Sequence, residues 1–267
     1  MLKPFIWMFK EQQFYKDYTK LLIINIVIVL LAFGMYFFSS YFSDTNFLLP
    51  ILIKFLIIIL LLGNILCNLG YFWELTSGII HRTTEIYANN VFNGKIKEKY
   101  KYNFPEKFNI KNFIWRGFAS IVATILLTGA YAYLFLSDNF KTSFVGVTAI
   151  VVMCFLSLFI PALLWNYARL NSIFSVWNIF KAKYVFQNYT FTYLKNIIVA
   201  ILFASIDFGL IYIIFNLIKN ININFIEPSF VDISFILLIT VVVLIKFIYN
   251  IFVYAYLLGT IAPSAEA

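Results

Sequence analysis

Six runs of about twenty apolar residues occupy most of this 267-residue chain. Each run is long enough to cross the roughly 30 Å hydrocarbon core of a bilayer as a helix. The runs are continuous rather than alternating, so helices are expected rather than a closed barrel. The pattern predicts an all-α membrane protein, one integral domain over residues 1–267, with six transmembrane helices at about 21–38, 48–67, 114–136, 145–165, 197–218 and 233–256.

Basic residues alternate from loop to loop in this chain, whose formal net charge is +8. The segment before the first run and the second and fourth loops are rich in Lys and Arg. The first loop has neither, and the third and fifth have only Lys141 and Lys219. By the positive-inside rule, this predicts a multi-pass protein of the cell membrane with both termini in the cytoplasm. The basic residues should contact anionic lipids of the inner leaflet, and no nucleic-acid partner is expected.

Aromatic and basic stretches precede the first, third and fifth runs. The stretch before the first run contains two dipeptides, Phe9-Lys10 and Tyr18-Thr19. The same two dipeptides recur at the same spacing before the fifth run, as Phe180-Lys181 and Tyr189-Thr190. A similar stretch covers residues 104–115. This predicts cytoplasmic amphipathic interfacial helices and three helical hairpins, each of one interfacial helix and two spans. The alternative is that any juxtamembrane segment of this composition looks aromatic and basic.

Several short motifs stand in and around the second and fourth loops. They are Phe104, Pro105 and Glu106, then Phe113, then Arg116, Gly117 and Phe118, with Gly70 and Tyr71 closing the second run and Pro161, Ala162, Tyr167, Ala168, Phe174, Tyr193 and Leu194 further on. Together they resemble the pattern of an uncharacterised prokaryotic membrane protein family, known as a domain of unknown function. The resemblance implies six helices and assigns no activity. The chain departs from it at Phe108 and Asn109, where the family often has acidic residues.

Two ionisable residues fall near the middle of predicted spans. Asp207 lies 11 residues before position 218, and Lys246 lies 13 residues after position 233. At 1.5 Å per residue these depths differ by only about 3 Å, so an ion pair is expected, and Asn250 could share the carboxylate one turn further on. Charges inside a membrane are costly and mark functional candidates. The pair is either a static tie between helices or a proton relay or ion site.

A row of polar residues follows the second run. Glu74, Gly78, His81 and Glu85 are spaced by four, three and four, which places them on one face of a helix that continues past the membrane surface. Glu74, His81 and Glu85 are therefore a candidate metal or acid–base site, and a solvated helix face is the alternative. Cys67 and Cys154 show no paired spacing, which argues against a disulfide or a zinc site. No cofactor is expected.

Small residues recur at spacings of three and four along the third run. Gly117, Ser120, Thr124, Thr128 and Ala132 form this stripe, which lets neighbouring backbones approach closely. Pro161 in the fourth run is expected to break one helical hydrogen bond and kink the span. Both features are interpreted as architectural.

Three functional hypotheses follow. The favoured one is a non-enzymatic membrane module, either a partner subunit or a lipid-facing scaffold of a membrane complex, because the sequence holds no Ser/His/Asp set, no H-E-x-x-H and no glycine-rich phosphate loop. Its partner would be another membrane protein or a second copy of the chain. The second hypothesis is a small transporter or channel that uses Asp207 and Lys246. The third is a membrane enzyme at the face of Glu74, His81 and Glu85.

Overall fold

The computed structural model describes residues 3–41, 48–92, 104–105, 108–136, 147–148, 158–220 and 230–262. These residues are helical apart from short turns and bends, and none of them lies in a strand. The predicted all-α fold is confirmed for this part of the chain. The helices are α1 (Lys3–Ile6), α2 (Gln12–Tyr41), α3 (Leu48–Phe92), α4 (Ile110–Leu136), α5 (Ile160–Leu170), α6 (Ile179–Asn220) and α7 (Phe230–Gly259), with 3₁₀ turns at Trp7–Lys10 and Ile173–Trp177.

Four helices are long and apolar enough to cross a membrane. They are Gln12–Ser39 in α2, Leu48–Ile86 in α3, Ile179–Lys219 in α6 and Asp232–Gly259 in α7. They contain the predicted first, second, fifth and sixth spans. Large apolar side chains on these helices are mostly exposed, as Phe208 in α6 is at 73%. Because such surfaces are unfavourable in water, they are suited to lipid, which makes this a membrane protein.

The predicted third and fourth spans are described only in part. The backbone of α4 covers the third, although its side chains are described only as far as residue 125. Most of the fourth lies outside the described residues. The expected kink at Pro161 is corrected, because Pro161 lies in the first turn of α5. The first N–H groups of a helix have no intrahelical acceptor, so proline starts this helix without loss of a hydrogen bond.

The predicted interfacial stretches before the first and fifth spans are continuous with the long helices that contain those spans. Helix α2 begins at Gln12 and ends at Tyr41. Helix α6 takes up the second stretch, and its backbone departs from helical geometry at Tyr189, with φ −126° and ψ 24°. That departure coincides with the end of the predicted interfacial stretch. Helix α6 is therefore two helical segments that meet at Tyr189.

Within the part of the chain described, residues cluster into two compact units. The first consists of Met1–Asn64 and Ile198–Tyr254. In it Phe14 of α2 packs edge-on against Phe252 of α7, with ring centroids 4.9 Å apart. The Asn64 side-chain amide of α3 donates to Asn25 Oδ1 of α2 at 2.9 Å. Buried polar hydrogen bonds of this kind join helices where apolar packing gives little specificity.

The second unit consists of Ile65–Ile197 and Ala255–Ala267 and has an aromatic core. Trp165, Tyr167 and Tyr193 are fully buried there. The Trp165 indole donates to the carbonyl oxygen of Ala262 at 3.1 Å. A buried Trp needs such a partner for its N–H, so this bond fixes the chain after α7 against α5.

Glycines bring the backbones of α3 and α4 together in the second unit. A Cβ added at Gly70 would overlap the backbone of Phe113, and one added at Gly117 would overlap the backbone of Leu66. Of the predicted stripe, Ser120 is also buried and donates to the carbonyl oxygen of Gly117 at 2.7 Å. Thr124 is exposed, and the side chains of Thr128 and Ala132 lie outside those described. The close approach rests on the two glycines.

Candidate functional site

The structure brings Asp207 and Lys246 together within the first unit. Lys246 Nζ of α7 lies 2.8 Å from Asp207 Oδ1 of α6. Both residues lie in helices that are long and apolar enough to cross a membrane. The side chain of Lys246 is 30% exposed, and that of Asp207 is 17% exposed.

Asn250 bridges the two charges. Its Oδ1 accepts a hydrogen bond from Lys246 Nζ at 2.8 Å, and its Nδ2 donates to Asp207 Oδ2 at 2.9 Å. The hydroxyl of Tyr254 also donates to Asp207 Oδ2, at 3.4 Å. Sequence analysis missed Tyr254, although its spacing of four residues from Asn250 places it on the same face of α7. That spacing was the available signal.

Aromatic rings enclose the ammonium group. Lys246 Nζ lies 3.9 Å from the ring centroid of Phe203 and 5.4 Å from that of Tyr249. Phe203 precedes Asp207 by one helical turn and packs edge-on against Phe5, at 5.2 Å. A cation over a ring face is stabilised by the ring quadrupole, more strongly where water is excluded. The rings therefore replace part of the hydration that the ammonium loses.

The network contains one positive and one negative charge and is neutral overall. Asp207 Oδ1 faces Lys246, and Asp207 Oδ2 accepts from Asn250 and Tyr254. Lys246 has Asp207, Asn250 and the Phe203 ring as partners. Within the described part of the chain, Asp207 Oδ1 has no hydrogen bond beyond this ion pair, so Asn250 and Tyr254 supply the hydrogen bonds that orient the carboxylate. The network therefore ties α6 to α7.

The candidate row on α3 is not assembled into a metal site. Helix α3 does continue to Phe92, so Glu74, His81 and Glu85 lie on one helix. Glu74 instead forms an ion pair with Arg116 of α4. Across the residues described, no group of three or more His, Cys, Asp or Glu side chains could hold a metal. Glu74 therefore has a structural partner in Arg116, and the choice between an acid–base site and a solvated helix face stays a prediction for His81 and Glu85.

Arg116 is the centre of a second polar cluster, in the second unit. Its side chain is only 7% exposed and pairs with Glu74, and its Nη2 donates to the carbonyl oxygen of Ala168 at 3.2 Å. The Tyr167 hydroxyl donates to the Arg116 carbonyl oxygen at 3.3 Å. Burial raises the pKa of Tyr167, and the charge of Arg116 opposes this. The hydroxyl therefore remains a neutral donor at physiological pH.

The residues that carry the family resemblance meet around this cluster. Tyr71 is fully buried and packs edge-on against Phe113, with ring centroids 5.4 Å apart. Gly70 contacts the Phe113 backbone, and Arg116 reaches Ala168. Phe174, Phe118 and Leu194 are exceptions, since they are 82%, 51% and 40% exposed. The motifs therefore belong to helix packing more than to a catalytic arrangement.

Comparison of the chain with protein-family models, with curated proteins and with solved structures gave no match.

Proposed function

We propose that the chain is a non-enzymatic integral membrane module, a partner subunit or lipid-facing scaffold of a membrane complex. The observation that carries this proposal is the network of Asp207, Lys246, Asn250 and Tyr254. Asp207 Oδ1 forms an ion pair with Lys246 Nζ, and Asp207 Oδ2 accepts hydrogen bonds from Asn250 and Tyr254, so the network joins α6 to α7. Glu74, from the candidate enzyme face, is likewise engaged by Arg116.

The proposal includes six spans in a single membrane domain, with both termini in the cytoplasm. The four long apolar helices and the backbone of α4 support the span count. Interfacial helices in the inner headgroup region are supported by exposed aromatic side chains before Tyr189, with Phe180 88% and Trp177 58% exposed. Lys181 and Lys183 stand among them, which suits a basic interfacial segment. Membership of the prokaryotic six-helix family is part of the same proposal.

Impermeant thiol reagents test the orientation. In a variant with Cys67 and Cys154 changed to Ser, single cysteines at Asn46, Asn139 and Asn222 should label from outside intact cells, because those loops are poor in basic residues. A cysteine at Lys97 should label only after the cells are opened. Labelling at Lys97 in intact cells would reverse the proposed topology.

Isolation in the native bilayer tests membership of a complex. The tagged full-length chain, extracted at its natural abundance in polymer-bounded nanodiscs, should carry a second membrane protein or a second copy of itself in a fixed ratio. A tagged unrelated six-span protein extracted in parallel identifies abundant contaminants. Recovery of one copy of the chain with lipid alone would contradict the proposal.

A small transporter or channel is the second candidate function. It is favoured by one observation, the partial exposure of Lys246 and Asp207 at membrane depth. Intramembrane ionisable residues often belong to ion or proton pathways. The effect of substitutions at this pair distinguishes the two candidates.

A further inference from the structure

The start of α4 has two different faces. Phe113, Arg116, Gly117 and Ser120 are buried at spacings of three, one and three, against the rest of the second unit. The opposite face repeats the same spacing with exposed residues: Lys111, Ile114, Trp115 and Phe118. Trp115 is 71% and Phe118 51% exposed. A face of this kind, apolar with a single cation at its first turn, is suited to a membrane and not to water.

A groove runs along this exposed face. It has a volume of about 590 Å³ and is lined by Leu66 from α3 and by Lys111, Asn112, Ile114, Trp115 and Phe118 from α4. Its volume is in the range of ligand-binding pockets. The rings of Trp115 and Phe118 stack along it with centroids 6.1 Å apart. Among the described residues that line the groove, Lys111 is the only charged one and Asn112 the only one with a side-chain amide.

We propose that this groove binds an anionic phospholipid, with the headgroup phosphate at Lys111 and one acyl chain along Leu66, Ile114 and Phe118. The occupant must be anionic at the end with Lys111 and Asn112 and apolar along the rest, which is the chemistry of such a lipid. Basic pockets between membrane helices on the cytoplasmic side bind acidic headgroups, and Trp settles at the headgroup level. The assignment to the inner leaflet rests on the proposed orientation; binding itself does not.

Native mass spectrometry of the delipidated full-length protein tests this site. Dioleoyl phosphatidylglycerol and dioleoyl phosphatidylcholine are offered at equal concentration, so the acyl chains are identical and only the headgroup charge differs. We expect the wild-type protein to retain about fivefold more phosphatidylglycerol than phosphatidylcholine. One basic residue near an acidic headgroup contributes about 1 kcal/mol, which corresponds to this ratio. Lys111→Gln should remove that preference. Lys183→Gln, a matched change of an exposed lysine outside the groove lining, should retain it.

A second variant tests the apolar part of the groove. Phe118→Ser should lower the retention of both lipids several-fold while leaving the melting temperature within a few degrees of wild type, because Phe118 is half exposed. Excess soluble glycerol phosphate should not displace the lipid, since the acyl chain supplies much of the binding. Displacement by glycerol phosphate would overturn the proposal in favour of a free phosphate site.

Three further outcomes would also overturn the lipid site. The first is equal retention of the two lipids by the wild-type protein, and the second is an equal loss of the phosphatidylglycerol preference in Lys111→Gln and Lys183→Gln. The third is capture of a protein segment by a photo-crosslinker placed at Asn112. These measurements are made in detergent and are independent of orientation. Labelling of a cysteine at Lys97 from outside would therefore contradict the proposed orientation without contradicting the proposed lipid site.

Discussion

Asp207→Asn should lower the free energy of unfolding by about 3 kcal/mol or more, because it leaves the ammonium of Lys246 without its counter-charge where water does not screen it. Lys246→Met should cost a similar amount, since it leaves the carboxylate with only Asn250 and Tyr254. The double variant removes both charges and should lose less than the sum of the two single losses by about 1–3 kcal/mol. Unfolding in mixed micelles titrated with sodium dodecyl sulfate, followed by circular dichroism, measures all three.

Lys54→Met is the matched control for this cycle. Lys54 is exposed on α3, so its change should alter stability by no more than about 0.5 kcal/mol. Tyr254→Phe removes a single hydrogen bond of 3.4 Å and should cost about 1 kcal/mol or less. Additive losses for Asp207 and Lys246 would show that the two residues do not interact. Proton uptake by liposomes containing the wild-type protein, lost in a stable Asp207→Asn variant, would favour the transporter instead.

Gly70→Ala should destabilise the protein by about 3 kcal/mol or more. The added Cβ would overlap the backbone of Phe113, and a backbone cannot rotate away as a flexible side chain can. Gly117→Ala should behave in the same way, because its Cβ would overlap the backbone of Leu66. The yield of folded protein and the midpoint of unfolding in mixed micelles are the measurements.

Gly63→Ala is the matched control on the same helix. A Cβ at Gly63 meets nothing within 4 Å, so the change should be neutral or stabilise α3 by about 0.5–1 kcal/mol through helix propensity. The two alanine substitutions on α3 should therefore differ in their effect on stability by about 3 kcal/mol or more. Unfolding of Gly70→Ala at the wild-type midpoint would contradict the close approach of α3 and α4.

Much of the helical architecture follows from local pattern. An apolar run of about twenty residues must pair its own backbone groups in lipid, so the four long apolar helices were predictable from residue counts alone. The helix ends were less predictable. Helix α3 has 45 residues and is about 68 Å long, more than twice the hydrocarbon thickness. Hydropathy detects the portion inside the lipid and does not detect the polar continuation to Phe92.

The candidate site divides in a similar way. The common depth of Asp207 and Lys246 could be counted along two helices, and Asn250 followed from the helical repeat. Phe203 and Tyr254 share that repeat with them, but their aromatic side chains are indistinguishable in sequence from the many that face lipid. Only the rotation of α6 and α7 about their axes places these rings against the charges.

The sequence by itself determined that the chain forms long apolar helices, and it predicted matching positions for Asp207 and Lys246 along two of them, because both depend on the helical rise and on a local count of residues. The tertiary structure decided which partners those helices present to one another. Arg116 finds Glu74 across 42 positions and Ala168 across 52, and Gly70 meets the Phe113 backbone. Such contacts depend on how two helix surfaces fit, which no local pattern encodes. For the same reason the spacing of Glu74 along α3 gave no sign that it would pair with Arg116.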